Sequence, residues 1–172
     1  MPGEPFAVHR REGNPVWFFG SLMTVKTTSE NTGSTIGLVE QVAMPGFAPP
    51  LHVHHNEDEL FYVMEGEGTW VCGDRTFKLS ADSVVFLPRA VPHAFRVEGT
   101  APIRMLVLHI PGGCEHLYED MGEPANERSI PPLGVGPSIE EVAADPTLTR
   151  RMHAISEKYN CTIVGPPPKF AS

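Results

Sequence analysis

The chain has 172 residues, enough for one domain with a sizeable core. Its 13 Lys+Arg stand against 21 Asp+Glu, a formal net charge of −8, which argues against nucleic acid or an anionic membrane surface as partner, since both reward basic patches. Cys72, Cys114 and Cys161 are an odd set without a C-x2-C pair, which speaks against a disulfide framework and a Cys-based zinc site.

No apolar run has the length of a signal peptide core or a membrane span, so the expected setting is a reducing cytoplasm. The 16 glycines and 18 prolines are spread as punctuation between short apolar runs, the pattern of an all-β domain with many turns. No internal repeat is visible.

In chain order, residues 1–35 read as an N-terminal arm and first strands, with a strand over 15–25. Residues 36–112 read as the barrel core, with strands over 36–44, 52–54, 59–65, 68–72, 75–79, 83–87, 93–97 and 103–110. Val, Phe, Ile, Thr and Trp dominate many of them. Gly73-Asp74 predicts a tight hairpin turn, and Glu65-Gly66-Glu67-Gly68 a second glycine-containing turn. Short, evenly spaced strands of this kind imply a sandwich or a jelly roll. Residues 113–172 form a C-terminal segment, opening with a proline-rich connection over 122–137. Ser138 begins a Ser-x-x-Glu capping pattern ahead of Ile139, and a further helix is expected over 148–159, started near Asp145-Pro146. The segment is expected to pack on the barrel or on a neighbouring subunit.

The chemistry concentrates in the run from Gly46 to Glu59. His52 and His54 are two apart, so on a strand both imidazoles leave the same face and can converge on one ion. Glu59 follows five residues after His54, which on an unbroken strand puts it on the opposite face; the stretch 55–58 must therefore turn or bulge. Glu57 is a rival carboxylate, and motif spacing favours Glu59. A third imidazole, His93, follows Pro88 and Pro92 on a distant strand. Three imidazoles and a carboxylate suit one divalent transition metal ion (Fe, Ni, Co, Mn, Cu or Zn) and leave room for exchangeable positions. His55 is expected to be exposed or to support a ligand, while His9, His109, His116 and His153 read as ordinary polar residues. Strand parity makes Phe61, Val63, Phe95, Met44 and Met105 candidates for a dry substrate pocket, or simply barrel filling. Arg89 reads as a solvated rim residue rather than a handle for an anionic substrate.

The spacing of Gly46, His52, His54, Glu59 and Gly66 resembles the first motif of the cupin superfamily, G-x5-H-x-H-x(3,4)-E-x6-G, at every fixed position. The second motif, G-x5-P-x-G-x2-H-x3-N, is met at Pro88 and His93. It is not met at Asp82, Ala90 and Val97, where the motif has Gly, Gly and Asn. The chain is also similar to small bacterial cupins described as quercetin 2,3-dioxygenase-like. That likeness rests on Val16-Trp17-Phe18, Pro50-Leu51-His52-Val53-His54-His55, Phe86-Leu87-Pro88-Arg89, Pro111-Gly112-Gly113 and Ile163-Val164-Gly165-Pro166-Pro167. The resemblance implies an all-β double-stranded β-helix (a jelly-roll barrel) with a short C-terminal helical segment. It implies a homodimer, and a metal-dependent dioxygenase acting with O2 on a flavonol or other enolic aromatic substrate. It also implies a second role for Glu59, as acceptor of the substrate's hydroxyl proton. Two other readings stand beside it: a metal-dependent isomerase, decarboxylase or polyketide cyclase, and a non-enzymatic cupin that binds a small molecule.

Overall fold

A computed structural model describes residues 4–132 and 135–169. Outside them lie the first residues of the arm, the end of the tail, and two positions of the 122–137 connection. The described chain runs through β1 (Asn14–Phe18), β2 (Ser21–Thr27), α1 (Ser29–Thr32), β3 (Gly37–Ala43), β4 (Leu51–His54), β5 (Asp58–Glu65), β6 (Glu67–Cys72), β7 (Arg75–Ser80) and β8 (Val84–Leu87). It continues through β9 (His93–Val97), β10 (Ile103–Ile110), α2 (Glu115–Met121), β11 (Glu123–Pro124), α3 (Ile139–Ala144), α4 (Pro146–Lys158) and β12 (Cys161–Gly165). No helix among the described residues is long and apolar enough to cross a membrane.

The strands form two antiparallel sheets, one in the order β11-β1-β2-β3-β10-β5-β8 and the other β12-β4-β9-β6-β7. Strict alternation in β3, β5 and β10 sends every second side chain between the sheets. There Phe61, Val63, Trp70, Val97, Ile103 and Met105 anchor the main core. Trp70 stacks near Phe95, with centroids 5.5 Å apart, and Phe61 meets both rings at 5.7–5.9 Å. A second cluster around Phe18, Met23, Val39 and Leu117 fills the space beneath α2. This is the jelly-roll barrel that the strand spacing implies.

Four local features depart from the sequence reading. The run 15–25 is a hairpin, β1 and β2, because Phe19 (φ 49°) and Gly20 (φ 84°) turn the chain inside a continuously apolar stretch. Residues 115–121 are helical. The tail forms a strand, β12, whose Cys161 pairs with His54 and whose Ile163 pairs with His52, so the C-terminal segment completes the sheet that carries both histidines. The last helix starts two residues earlier than expected, at Pro146, with the Asp145 side chain accepting from the N–H groups of Thr147 and Leu148. Ser138 and Glu141 do form the expected capping box.

Two fixed glycines and two departures from the second motif share one backbone demand. Gly46 and Gly66 have φ of 90° and 82°, and a Cβ on Gly66 would stand 2.7 Å from the Pro102 carbonyl oxygen. Asp82 (φ 65°) and Ala90 (φ 62°) adopt the same left-handed conformation without being glycine. The turn geometry of the motif is therefore kept, at some local strain. Gly66→Ala should lower the unfolding free energy by about 2 kcal/mol or more, combining that strain with backbone overlap. Ala90→Gly should fall between no change and about 1 kcal/mol of added stability. Urea denaturation of the two variants measures both; Gly66→Ala matching the parent would contradict the packing described.

Candidate metal centre

The link from β4 to β5 leaves one sheet and enters the other. This answers the sequence demand on residues 55–58: Glu59 comes back inward because it belongs to the opposite sheet, not because a single strand bulges. His52 and His54 reach in from β4, and His93 from β9, directly opposite His52 in the register. Glu59 reaches in from β5 across the interior. The candidate ligand atoms of His52, His54, Glu59 and His93 all lie within 4.8 Å of one another. His54, Glu59 and His93 are buried and His52 is partly accessible.

The loop carrying His93 is fastened on both sides. The Ala90 N–H donates to the His54 carbonyl at 2.7 Å. Arg89 holds Asp58 through its backbone N–H (2.8 Å), Nε (3.1 Å) and Nη2 (2.8 Å). Arg89 thus ties the loop to the residue before Glu59.

Backbone contacts also set the imidazole orientation. His52 Nδ1 is 2.8 Å from the Pro50 carbonyl oxygen, and His93 Nδ1 is 2.8 Å from that of Val91. A carbonyl only accepts, so each Nδ1 carries a hydrogen, and Nε2 is the nitrogen left to coordinate. His54 Nδ1 faces Cys114 Sγ at 3.4 Å.

Glu59 Oε2 and His93 Nε2 are 2.9 Å apart, yet each is a buried polar atom without a well-formed hydrogen bond. Both lie within 4.8 Å of the candidate ligand atoms of His52 and His54. The donor set, three imidazoles and one carboxylate, is what a borderline divalent ion takes, so these residues fit a metal ion.

The charges agree. Burial alone would push Glu59 up, but His54, His109 and His93 outweigh it and hold its carboxyl well below the usual carboxylate range. Glu59 is thus held in its ionised form. Burial pushes His52 down to about 3, helped by its imidazole neighbours, so it is neutral and ready to coordinate. Burial also pushes His93 down, but Glu59 outweighs that and leaves it raised.

Sequence reasoning missed His109, which is 0% exposed with Nε2 3.1 Å from Glu59 Oε1. It shares inward parity with Met105 and Val107 on β10, the one signal that could have found it. Glu57 is buried, with Oε2 3.7 Å from His54 Nδ1, behind the ligand rather than among the four. His55 is exposed and meets the Thr162 hydroxyl at 2.9 Å. Cys114 and Cys161 lie beside the site, but burial pushes both thiols up, Cys161 to about 12, so they are neutral and poor ligands. A separate group, Glu30, Glu115 and His116, is explained structurally: Glu115 accepts from the backbone N–H groups of Ser29 (2.5 Å) and Gly113 (2.6 Å).

The four residues open onto an apolar cavity between the barrel and the C-terminal helices, with Phe18, Phe19, Phe47, Phe61, Phe95 and Tyr118 in its wall. Of the five pocket candidates, Phe61 and Phe95 line it. Val63 and Met105, both 0% exposed, sit in the main core instead, because their inward positions face the filled end of the barrel. Met44 is 47% exposed at the end of β3, where parity no longer applies.

Residues 39–109 match the cupin domain family. Over 128 residues the chain is 26% identical to a quercetin 2,3-dioxygenase of Bacillus subtilis (strain 168), covering 74% of this chain and 38% of that protein. It is also 26% identical over 74 residues to an uncharacterized protein of Methanocaldococcus jannaschii, covering 43% of this chain and 59% of that one. The chain thus spans less than two thirds of the length of both curated relatives. A structure described as a predicted oxalate decarboxylase from Thermotoga maritima superimposes with a TM-score of 0.58 at 20% identity, covering 62% of this chain and 99% of that one. An oxalate decarboxylase structure gives 0.52 at 24% identity, covering 58% and 28%. At those identities the structural likeness speaks for the fold alone. Barrel, motif spacing and domain match agree that residues 39–109 form a cupin domain.

Proposed function

We propose that this protein is a metal-dependent dioxygenase, quercetinase-like, acting with O2 on a flavonol or other enolic aromatic substrate. The observation that carries the reading is the pair of unpartnered buried atoms, Glu59 Oε2 and His93 Nε2, grouped with His52 and His54 beside an aromatic-walled cavity. Among the described residues no Lys or Arg lines that cavity. A small dicarboxylate such as oxalate would find no cation there beyond the metal itself, which favours an apolar ring system.

His52, His54, Glu59 and His93 would hold one divalent transition metal. Bound there, the ion would supply Lewis acidity that favours the ionised form of an enolic hydroxyl. The chain does the rest. Phe61, Phe95 and Phe47 would flank the substrate ring and exclude water. Glu59 would receive the hydroxyl proton at its carboxylate, whose Oε2 no hydrogen bond occupies.

Metal-free protein should take up about one equivalent of a divalent transition metal, read by elemental analysis after gel filtration, and His93→Ala should abolish stoichiometric uptake. Uptake should strengthen as pH rises through the raised His93 pKa, because the proton on that imidazole must leave before its Nε2 can coordinate. Stoichiometric binding that survives both His93→Ala and His52→Ala would contradict the assignment.

In an oxygen electrode the loaded protein should consume O2 with a flavonol. Glu59→Gln should slow that by about 100-fold or more, the usual worth of a general base. Turnover of the substrate without O2 would instead favour an isomerase or decarboxylase.

A further inference from the structure

His109 and Tyr118 belong to neither motif, yet they connect the carboxylate of the metal centre to the cavity. His109 stands directly across from Glu59 in the β5–β10 register. Its Nε2 is 3.1 Å from Glu59 Oε1 and 3.3 Å from the Tyr118 hydroxyl oxygen, while its Nδ1 is buried without a partner. Burying an imidazole on the inward face of β10, next after Met105 and Val107, costs desolvation that an apolar residue would avoid. The barrel does not require it there for packing.

The position of the proton follows from the partners. Glu59 Oε1 and the Tyr118 oxygen both stand near Nε2, whereas Nδ1 has no partner. A ring N–H belongs where an acceptor stands, so Nε2 carries the hydrogen and Nδ1 is the bare nitrogen. Toward Nε2, the Tyr118 oxygen can then act only as an acceptor. Its own O–H hydrogen is uncommitted on that side, and the ring lines the cavity. Burial, joined by the nearby Glu59 carboxylate, pushes the phenol well above its ordinary range, so the hydrogen stays on.

We propose that His109 is a positioning residue that holds Glu59 by Oε1, so that Oε2 faces the metal centre, and that it leaves the Tyr118 hydroxyl free to donate to a substrate oxygen. The inference rests on the metal-centre reading above and sharpens the substrate class. It selects an aromatic that carries a carbonyl next to its ionising hydroxyl, one oxygen for Glu59 and the ion, the other for Tyr118. A substrate without that second oxygen would leave the buried hydroxyl unpaired and be disfavoured.

The test uses cobalt(II) and quercetin as probes on the whole chain. Cobalt affinity is measured by chelator competition, and its coordination by visible absorption. His109→Phe should weaken cobalt binding by about 10–100-fold, the usual effect of removing a residue that orients a ligand. His109→Gln, which keeps an N–H donor, should recover most of the loss, and it keeps the test open should the Phe variant fold poorly. Equal cobalt affinity and spectra in the parent and His109→Phe would overturn the positioning role while leaving the metal reading intact. A parent protein that binds no cobalt would remove both. Tyr118→Phe should leave cobalt affinity unchanged and weaken quercetin binding to the cobalt-loaded protein by about 3–10-fold, one hydrogen bond's worth. An unchanged quercetin affinity would overturn the donor role of Tyr118.

Discussion

A buried carboxylate oxygen and a buried imidazole nitrogen stand 2.9 Å apart with no hydrogen bond between them. In an interior of low dielectric such a pair is costly unless something else satisfies both atoms. The surroundings hold the pair in that geometry. Carbonyls of Pro50 and Val91 fix two rings, Ala90 and Arg89 fasten the loop that carries His93, and His109 stands at the other oxygen of Glu59. Each contact restrains a ligand without using the atom aimed inward. Supporting contacts that leave the inward lone pairs free are what a metal site requires of its outer residues.

The C-terminal segment closes this arrangement. β12 pairs with β4 and so braces the strand that bears His52 and His54. α2 brings Tyr118 and Leu117 to the cavity wall, and its first residue, Glu115, is clamped by backbone N–H groups of Ser29 and Gly113. Gly37 must be glycine for that clamp, since a Cβ there would overlap the Glu115 carboxylate. Lys158 and Tyr159 both reach Asp120, fixing the end of α4 to α2. The roof of the cavity and the sheet that carries His52, His54 and His93 are therefore one connected unit of the described chain.

Much of this was legible in the sequence, for identifiable reasons. The two-residue spacing of His52 and His54, and alternation in β5 and β10, are local and survive into the fold unchanged. Gly46 and Gly66 mark positions with positive φ, but Asp82 and Ala90 show that the same backbone can be imposed on other residues by the strands around them. What could not be read was non-local. His109 has the right parity, but its partner Glu59 is chosen by a strand pairing about fifty residues away in sequence. The tail reads as Ile-Val-Gly-Pro, and only the free edge of β4 makes it a strand. Parity correctly sent Val63 and Met105 inward but could not say which end of the barrel is filled and which is open.

The most direct measurement is X-ray absorption of the protein loaded with a single transition metal. Convergence of His52, His54, Glu59 and His93 predicts a first shell of nitrogen and oxygen at about 2.0–2.2 Å with the outer scattering of about three imidazoles. A sulfur shell near about 2.3 Å, as the neighbouring His54, Glu57 and Cys114 group would give, or a shell lacking imidazole scattering, would contradict it.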